Sequence, residues 1–222
     1  MENLSSFNQD EVAIEAVKPL VVRGDPSYRV EAEAIKTYAA LEAADAIEVL
    51  TPALGRDSRF ETIRGAVLSG FGKLRDPAVV PMLIEWSKPS RSRFCRPSAI
   101  RALASITKRT NIEDGPMGEI VEALTVCLDD TGRRVRGAAI RALGGLSAPD
   151  KARPALTKLR AIAKGDANWR VRKSAERTIK TIESGEPAQV QLADLRDDLK
   201  EVLKKNEGLA DRVEKLESQL SV

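Results

Sequence analysis

The chain has 222 residues, with 36 Lys+Arg against 33 Asp+Glu, a formal net charge of +3, 42% hydrophobic residues, 4% aromatic residues and no histidine. The composition is that of a globular chain and excludes a disordered one; the length suits one or two domains. Without histidine, Ser/His/Asp and Cys/His catalysis and histidine-ligated zinc or haem are excluded, so no cofactor or metal is expected and the chain by itself is not read as an enzyme.

In chain order, Met1-Glu2-Asn3-Leu4-Ser5 shows neither a basic nor an apolar signal region, and no apolar run reaches the ~18–20 residues of a membrane span. No membrane association and a cytoplasmic location are therefore expected. Residues 8–22, with Val12, Ile14, Ala16 and Val17, predict an unpaired leading helix that caps the first repeat. Five segments then align, opening at Asp25, Asp57, Ser90, Asp130 and Asp166 and centred on Ala34, Ala66, Ala99, Ala139 and Ala175, at intervals of 32, 33, 40 and 36 residues. Four residues before each centre stand Val30, Thr62, Cys95, Val135 and Val171; seven or eight after it stand Leu41, Leu74, Ile106, Leu146 and Ile182. These offsets trace one helical face, so each segment predicts an amphipathic helix, with its opening Asp or Ser as N-cap. Second helices are predicted over 44–54, 77–88, 116–128 and 151–164, each after a break such as Asp76-Pro77 or Gly115-Pro116. Cys95 and Cys127 lie within apolar helical patterns and are read as small buried hydrophobes. Gly70-Phe71-Gly72 and Gly144-Gly145 are read as glycines at helix ends.

The segment Asp130-Thr-Gly-Arg-Arg-Val-Arg-Gly-Ala-Ala-Ile-Arg-Ala-Leu-Gly-Gly-Leu resembles a HEAT-repeat helix of the bacterial type, and residues 25–184 fit that family almost throughout. The resemblance implies an all-α chain in which about five repeats stack into a right-handed α-α superhelix over residues 1–184, a solenoid with a continuous core. The third unit fits least well, with Ser90 in place of the acid and a long loop from Thr107 to Gly115. More narrowly, Asp25-Pro26-Ser27-Tyr28-Arg29-Val30-Glu31-Ala32-Glu33-Ala34 is similar to the C-terminal HEAT-like region of bacterial zinc aminopeptidases of the aminopeptidase N type. Their H-E-x-x-H motif cannot exist here, so that resemblance implies a non-catalytic segment and carries over no catalytic residue.

The near-neutral sum conceals an acidic front and a basic middle. Residues 1–88 hold 10 basic and 14 acidic side chains, whereas residues 89–184 hold 20 basic and 10 acidic. A solvated helix face is the simpler reading of that surplus, and an anionic partner the sharper one. Arg96, Arg136 and Arg172 stand three residues before the central Ala. That position implies, by the resemblance, a ladder in which each Arg bonds the opening Asp of a neighbouring unit. Arg133, Arg134 and Arg170 lack such an explanation and are the candidate ligand residues, joined by Lys151, Arg153, Lys158 and Arg160 on the fourth second-layer helix. Trp86 and Trp169 are two isolated tryptophans, too few for an interleaved basic and aromatic surface.

After Gly185-Glu186-Pro187 the period changes. Leu192, Leu199, Asn206, Val213 and Leu220 fall at heptad position a, and Leu195, Val202, Leu209 and Leu216 at d. Four heptads with one Asn at a predict a long C-terminal coiled-coil helix over 187–222 that pairs in parallel with a second copy through 190–220. The alternative is that this helix folds back to cap the last repeat. The sequence thus predicts a non-catalytic scaffold for protein–protein interaction, dimerised by its coil, whose basic half meets an acidic surface. A non-catalytic segment of a zinc aminopeptidase and a nucleic-acid-binding solenoid using residues 89–184 are the alternatives.

Overall fold

A computed structural model describes residues 9–108 and 114–185, and among these no strand occurs. The leading helix α1 (Glu11–Arg23) starts where the Asp10 carboxylate accepts a hydrogen bond of 3.0 Å from the Ala13 amide, and stops at Gly24, whose φ of 79° suits glycine. It is followed by α2 (Tyr28–Ala40), α3 (Ala46–Leu50), α4 (Thr62–Leu74), α5 (Val80–Ser87) and α6 (Arg96–Ile106). Then come α7 (Asp114–Val126), α8 (Arg133–Gly144), α9 (Leu156–Gly165) and α10 (Trp169–Ser184). Short 3-10 turns lengthen the second-layer helices, at Thr51–Gly55 after α3, Pro77–Val79 before α5, Cys127–Asp129 after α7 and Pro149–Ala155 before α9.

The even-numbered helices form one layer, in which α2, α4, α6, α8 and α10 pack successively side by side. The odd-numbered helices form the other: α1 lies against α3, α5 against α7, and α7 against the turn that leads into α9. Each of α1, α5, α7 and α9 packs mainly on the even-numbered helix that follows it, so a helix pair reads second-layer helix first. The predicted stripe is the core. All five central alanines are buried, as are Cys95, Val135, Val171, Leu41, Ile106, Leu146 and Ile182. Val30 is exposed instead, because α2 is the first helix of its layer and has a neighbour in that layer on one side only. The third segment becomes helical only at Arg96; residues 89–95 form turns.

With so few aromatics, alanine, leucine and isoleucine fill the interior, which is one continuous apolar cluster from Val17 to Ile182. Cys95 and Cys127 are free thiols buried in it, and burial pushes the pKa of both upward. A polar knot closes the first end: Asp45 accepts from the Tyr38 hydroxyl and from the Lys18 ammonium, each at 2.6 Å. Among the described residues no helix is long and apolar enough to cross a membrane. The predicted coil seam from Leu192 to Leu220 lies outside the described residues.

Candidate functional site: a basic edge

Which arginines are free depends first on which are used structurally. Arg96 at the start of α6 forms a bidentate pair with Asp130, the acid that opens the next unit, and both side chains are buried. One unit on, Arg136 donates through Nε to Asp166 Oδ2 at 2.7 Å, and through Nη1 to the Asp130 carbonyl at 2.8 Å. Arg172 turns back to the Asp166 carbonyl at 2.6 Å. Two rungs of the expected ladder are thus ion pairs, and the third Arg holds the backbone of the same loop. At the front of the solenoid the rung is inverted: Glu31 occupies the Arg position, and Arg56 reaches it at 2.5 Å while also bonding the carbonyls of Val21 and Val22. Ile63 and Ser90 stand where the rung between the second and third units would be, so none forms there.

The Arg136 guanidinium holds the Asp166 carboxyl below the usual carboxylate range, and burial opposes this only in part. A depressed folded pKa contributes stability that is present above the unfolded value of about 3.9 and lost as pH falls through the folded value. Asp166→Asn is therefore expected to cost about 2 kcal/mol at pH 7. In urea titrations at a series of pH values, that deficit should shrink toward zero as pH falls below about 4.

The remaining cations converge. Arg133 and Arg134, exposed in the first turn of α8, line a cleft of about 170 Å³ with Arg141 and with Arg170 of α10. No lining residue of this cleft is acidic, and among the described residues no carboxylate pairs with these four guanidiniums. Uncompensated charge is felt nearby, since Arg101 has its pKa pushed down by burial and then by Arg141. Asn168 caps α10 by accepting from the Arg170 amide at 3.0 Å. Its own amide is held by Asp166 Oδ1 at 2.8 Å, so the loop that presents Arg170 is fixed by the ladder.

On the other side of Arg133 and Arg134, a second cleft of about 370 Å³ is shared with Arg93 and Phe94 at the entry to α6. The Phe94 ring in turn meets Phe60, from the loop entering α4, with centroids 5.3 Å apart. Arginines lie over these rings: Arg59 at 4.9 Å from Phe60 and Arg93 at 5.1 Å from Phe94. Arg170 lies 5.4 Å from the exposed Trp169. The expectation of two isolated tryptophans is corrected here, because the aromatics interleaved with arginine are Phe60, Phe94 and Trp169. Trp86 instead packs against the core with Arg91 at 4.5 Å. Phe60 and Phe94 were readable only from the alignment columns just ahead of the helices, where aromatic and basic residues recur.

The second candidate set does not join the first. Lys158 pairs with Asp129 at 2.5 Å and Arg160 with Glu183 at 2.7 Å, while Arg153 is exposed. Lys151 lines an apolar groove of about 450 Å³ between α7 and the turn before α9, with Val121, Val126 and Pro154. A second groove of about 480 Å³ lies on the other flank of α7, between it and α5, with Ile84, Ala123 and Val126. Among the described residues, no group of His, Cys, Asp and Glu could hold a metal ion.

A family model of HEAT repeats matches residues 14–104 and 96–180. Among solved structures, the chain is similar to the complex of CpcE and CpcF of phycocyanin lyase from Nostoc sp. PCC7120, at 21% identity over 76% of this chain and 99% of that one, with a TM-score of 0.61. It is also similar to an engineered protein, at 23% identity over 83% of this chain and 89% of that one, with a TM-score of 0.56. At these identities the likeness is one of fold. No curated protein sequence matches the chain.

Proposed function

The chain belongs to the HEAT-repeat family, and from that premise we propose that it is a non-catalytic cytoplasmic scaffold that binds a protein partner through its basic edge. The observation that carries the reading is the cleft of Arg133, Arg134, Arg141 and Arg170, four guanidiniums with no carboxylate in its lining, on a rigid two-layer frame. A solenoid of this kind presents side chains from successive repeats in a fixed row, and uncompensated guanidiniums favour acidic groups on whatever docks there. Four heptads after Gly185 support dimerisation through 190–220, which would place two such edges in one particle. The aminopeptidase-type alternative rests on the sequence resemblance alone.

Two measurements test this. Sedimentation of the full chain and of a chain ending at residue 186 is expected to give a dimer and a monomer; the same mass state for both removes the coil from the account. Affinity capture with the wild type and with Arg133→Glu/Arg134→Glu/Arg170→Glu is expected to lose a set of acidic proteins on charge reversal. Identical captured sets would remove the basic edge as the docking face.

A further inference from the structure

We propose that the edge formed by the entry ends of α4, α6, α8 and α10 binds an extended acidic peptide in polyproline II conformation, with a carboxylate at every third residue. This rests on the scaffold reading above and specifies the chemistry of the partner segment.

The edge is a repeated feature of the sequence as well as a surface. Six and five residues before the central alanines stand Tyr28-Arg29, Phe60-Glu61, Arg93-Phe94, Arg133-Arg134 and Trp169-Arg170. Four of the five units therefore bring at least one arginine to these two columns, and four bring an aromatic ring. From the second unit onward the stations are physically continuous. Phe60 touches Phe94, one cleft joins Phe94 to Arg133 and Arg134, and the next joins those to Arg170.

The rings are not core residues that happen to show. Phe60 is 60% exposed, Phe94 40% and Trp169 58%, in a chain with few aromatics to spare. Phe60 and Glu61 both sit at positive φ, 56° and 58°, a region that is unfavourable for a bulky residue and persists only where the surroundings impose it. That backbone turns the Phe60 ring outward onto Phe94.

The spacing selects the conformation of the ligand. Packed helices stand about 8–10 Å apart. A polyproline II chain has three residues per turn and rises about 3.1 Å per residue, so every third side chain returns to the same face after about 9 Å. Carboxylates at i, i+3 and i+6 then meet Arg93, the Arg133/Arg134 pair and Arg170 in turn, and intervening prolines lie on Phe94 and Trp169. A β-strand sends alternate residues to opposite faces, and an α-helix repeats every ~5.4 Å; neither keeps step with the layer. Aromatic-lined grooves suit polyproline II segments because the ligand is already extended and loses little entropy on docking.

The test is fluorescence anisotropy with the full chain and three labelled probes: four repeats of Asp-Pro-Pro, four repeats of Asp-Pro-Pro-Pro, and a twelve-residue thymidine oligonucleotide. The three-residue repeat is expected to bind about fivefold or more tightly than the four-residue repeat of equal charge, and more tightly than the oligonucleotide. Its affinity should fall about tenfold in Arg133→Ala/Arg134→Ala, and about fivefold in Phe94→Ala/Trp169→Ala, with unchanged thermal unfolding in both. Equal affinity for the two peptides, tighter binding of the oligonucleotide, or indifference to loss of both rings overturns the proposal. None of these results touches the scaffold reading, which the charge-reversal capture decides separately.

Discussion

Asp130→Asn is expected to lose about 3 kcal/mol, seen as a lower urea midpoint at unchanged slope and a thermal midpoint down by roughly 6–12 °C. Asp130 and Arg96 have side chains only 5% and 8% exposed, so neither charge can recover hydration if the other is removed. The Arg96 Nε already lacks a partner, which leaves the bidentate carboxylate as the main compensation for a buried guanidinium. An Asn oxygen can still accept from the Gly132 amide, which Asp130 Oδ1 holds at 2.7 Å; the local turn should survive and the loss should report the pair. Asp57→Asn is the control. It opens an earlier unit in the same way, but its carboxylate is 93% exposed, and its partner Arg64 also holds Glu61 and the Leu54 carbonyl. That change should cost less than about 1 kcal/mol. Arg96→Met combined with Asp130→Asn should cost less than the two single changes together, because the second removes a partner already lost. A loss of under about 0.5 kcal/mol for Asp130→Asn would mean that the ladder does not hold the units together.

The repeat was readable because it is a property of residue type at fixed spacing. Alanine at the centre, with an apolar residue (Thr62 in the second unit) four before and an apolar residue seven or eight after, traces one face of a helix, and nine of the ten flanking positions are at least partly buried, Val30 being the exception. The ladder was readable in the two rungs where Arg and Asp keep their usual places. It was not readable at Glu31 and Arg56, where the signs are exchanged and only three-dimensional proximity shows that the function is kept. The basic cluster was legible as charge, but its division was not. Lys158 and Arg160 are neutralised by carboxylates 29 and 23 residues away in the chain, distances at which sequence spacing carries no pairing information. The outward turn of the Phe60 backbone was illegible for another reason: a positive φ at a bulky residue has no sequence signature, since propensity argues against it.

Gly72 is the residue whose role the sequence pattern states most misleadingly, and Gly72→Ala should cost about 2 kcal/mol or more. Gly70-Phe71-Gly72 was expected to end a helix, but both glycines are buried within α4, which runs on to Leu74. By helix propensity alone, alanine in place of an interior glycine gains about 1 kcal/mol. Gly118 in α7 is such a case: a Cβ there would meet nothing within 4 Å, so Gly118→Ala should be stabilising by about 0.5–1 kcal/mol. A Cβ on Gly72 would instead stand 2.7 Å from the Ala102 Cα and 2.8 Å from its Cβ. The first of those atoms is backbone of α6 and cannot rotate away, so α4 and α6 must separate, and with them the contacts of Val67, Phe71 and Leu103 in the core. The nature of the obstacle gives a sharper expectation. If only the Ala102 methyl were in the way, Ala102→Gly would restore Gly72→Ala fully; because the Cα is equally close, the double variant should recover only part of the loss, less the helix penalty of the new glycine. Full recovery would show that the two helices meet through side chains, whereas partial recovery measures how closely their backbones approach.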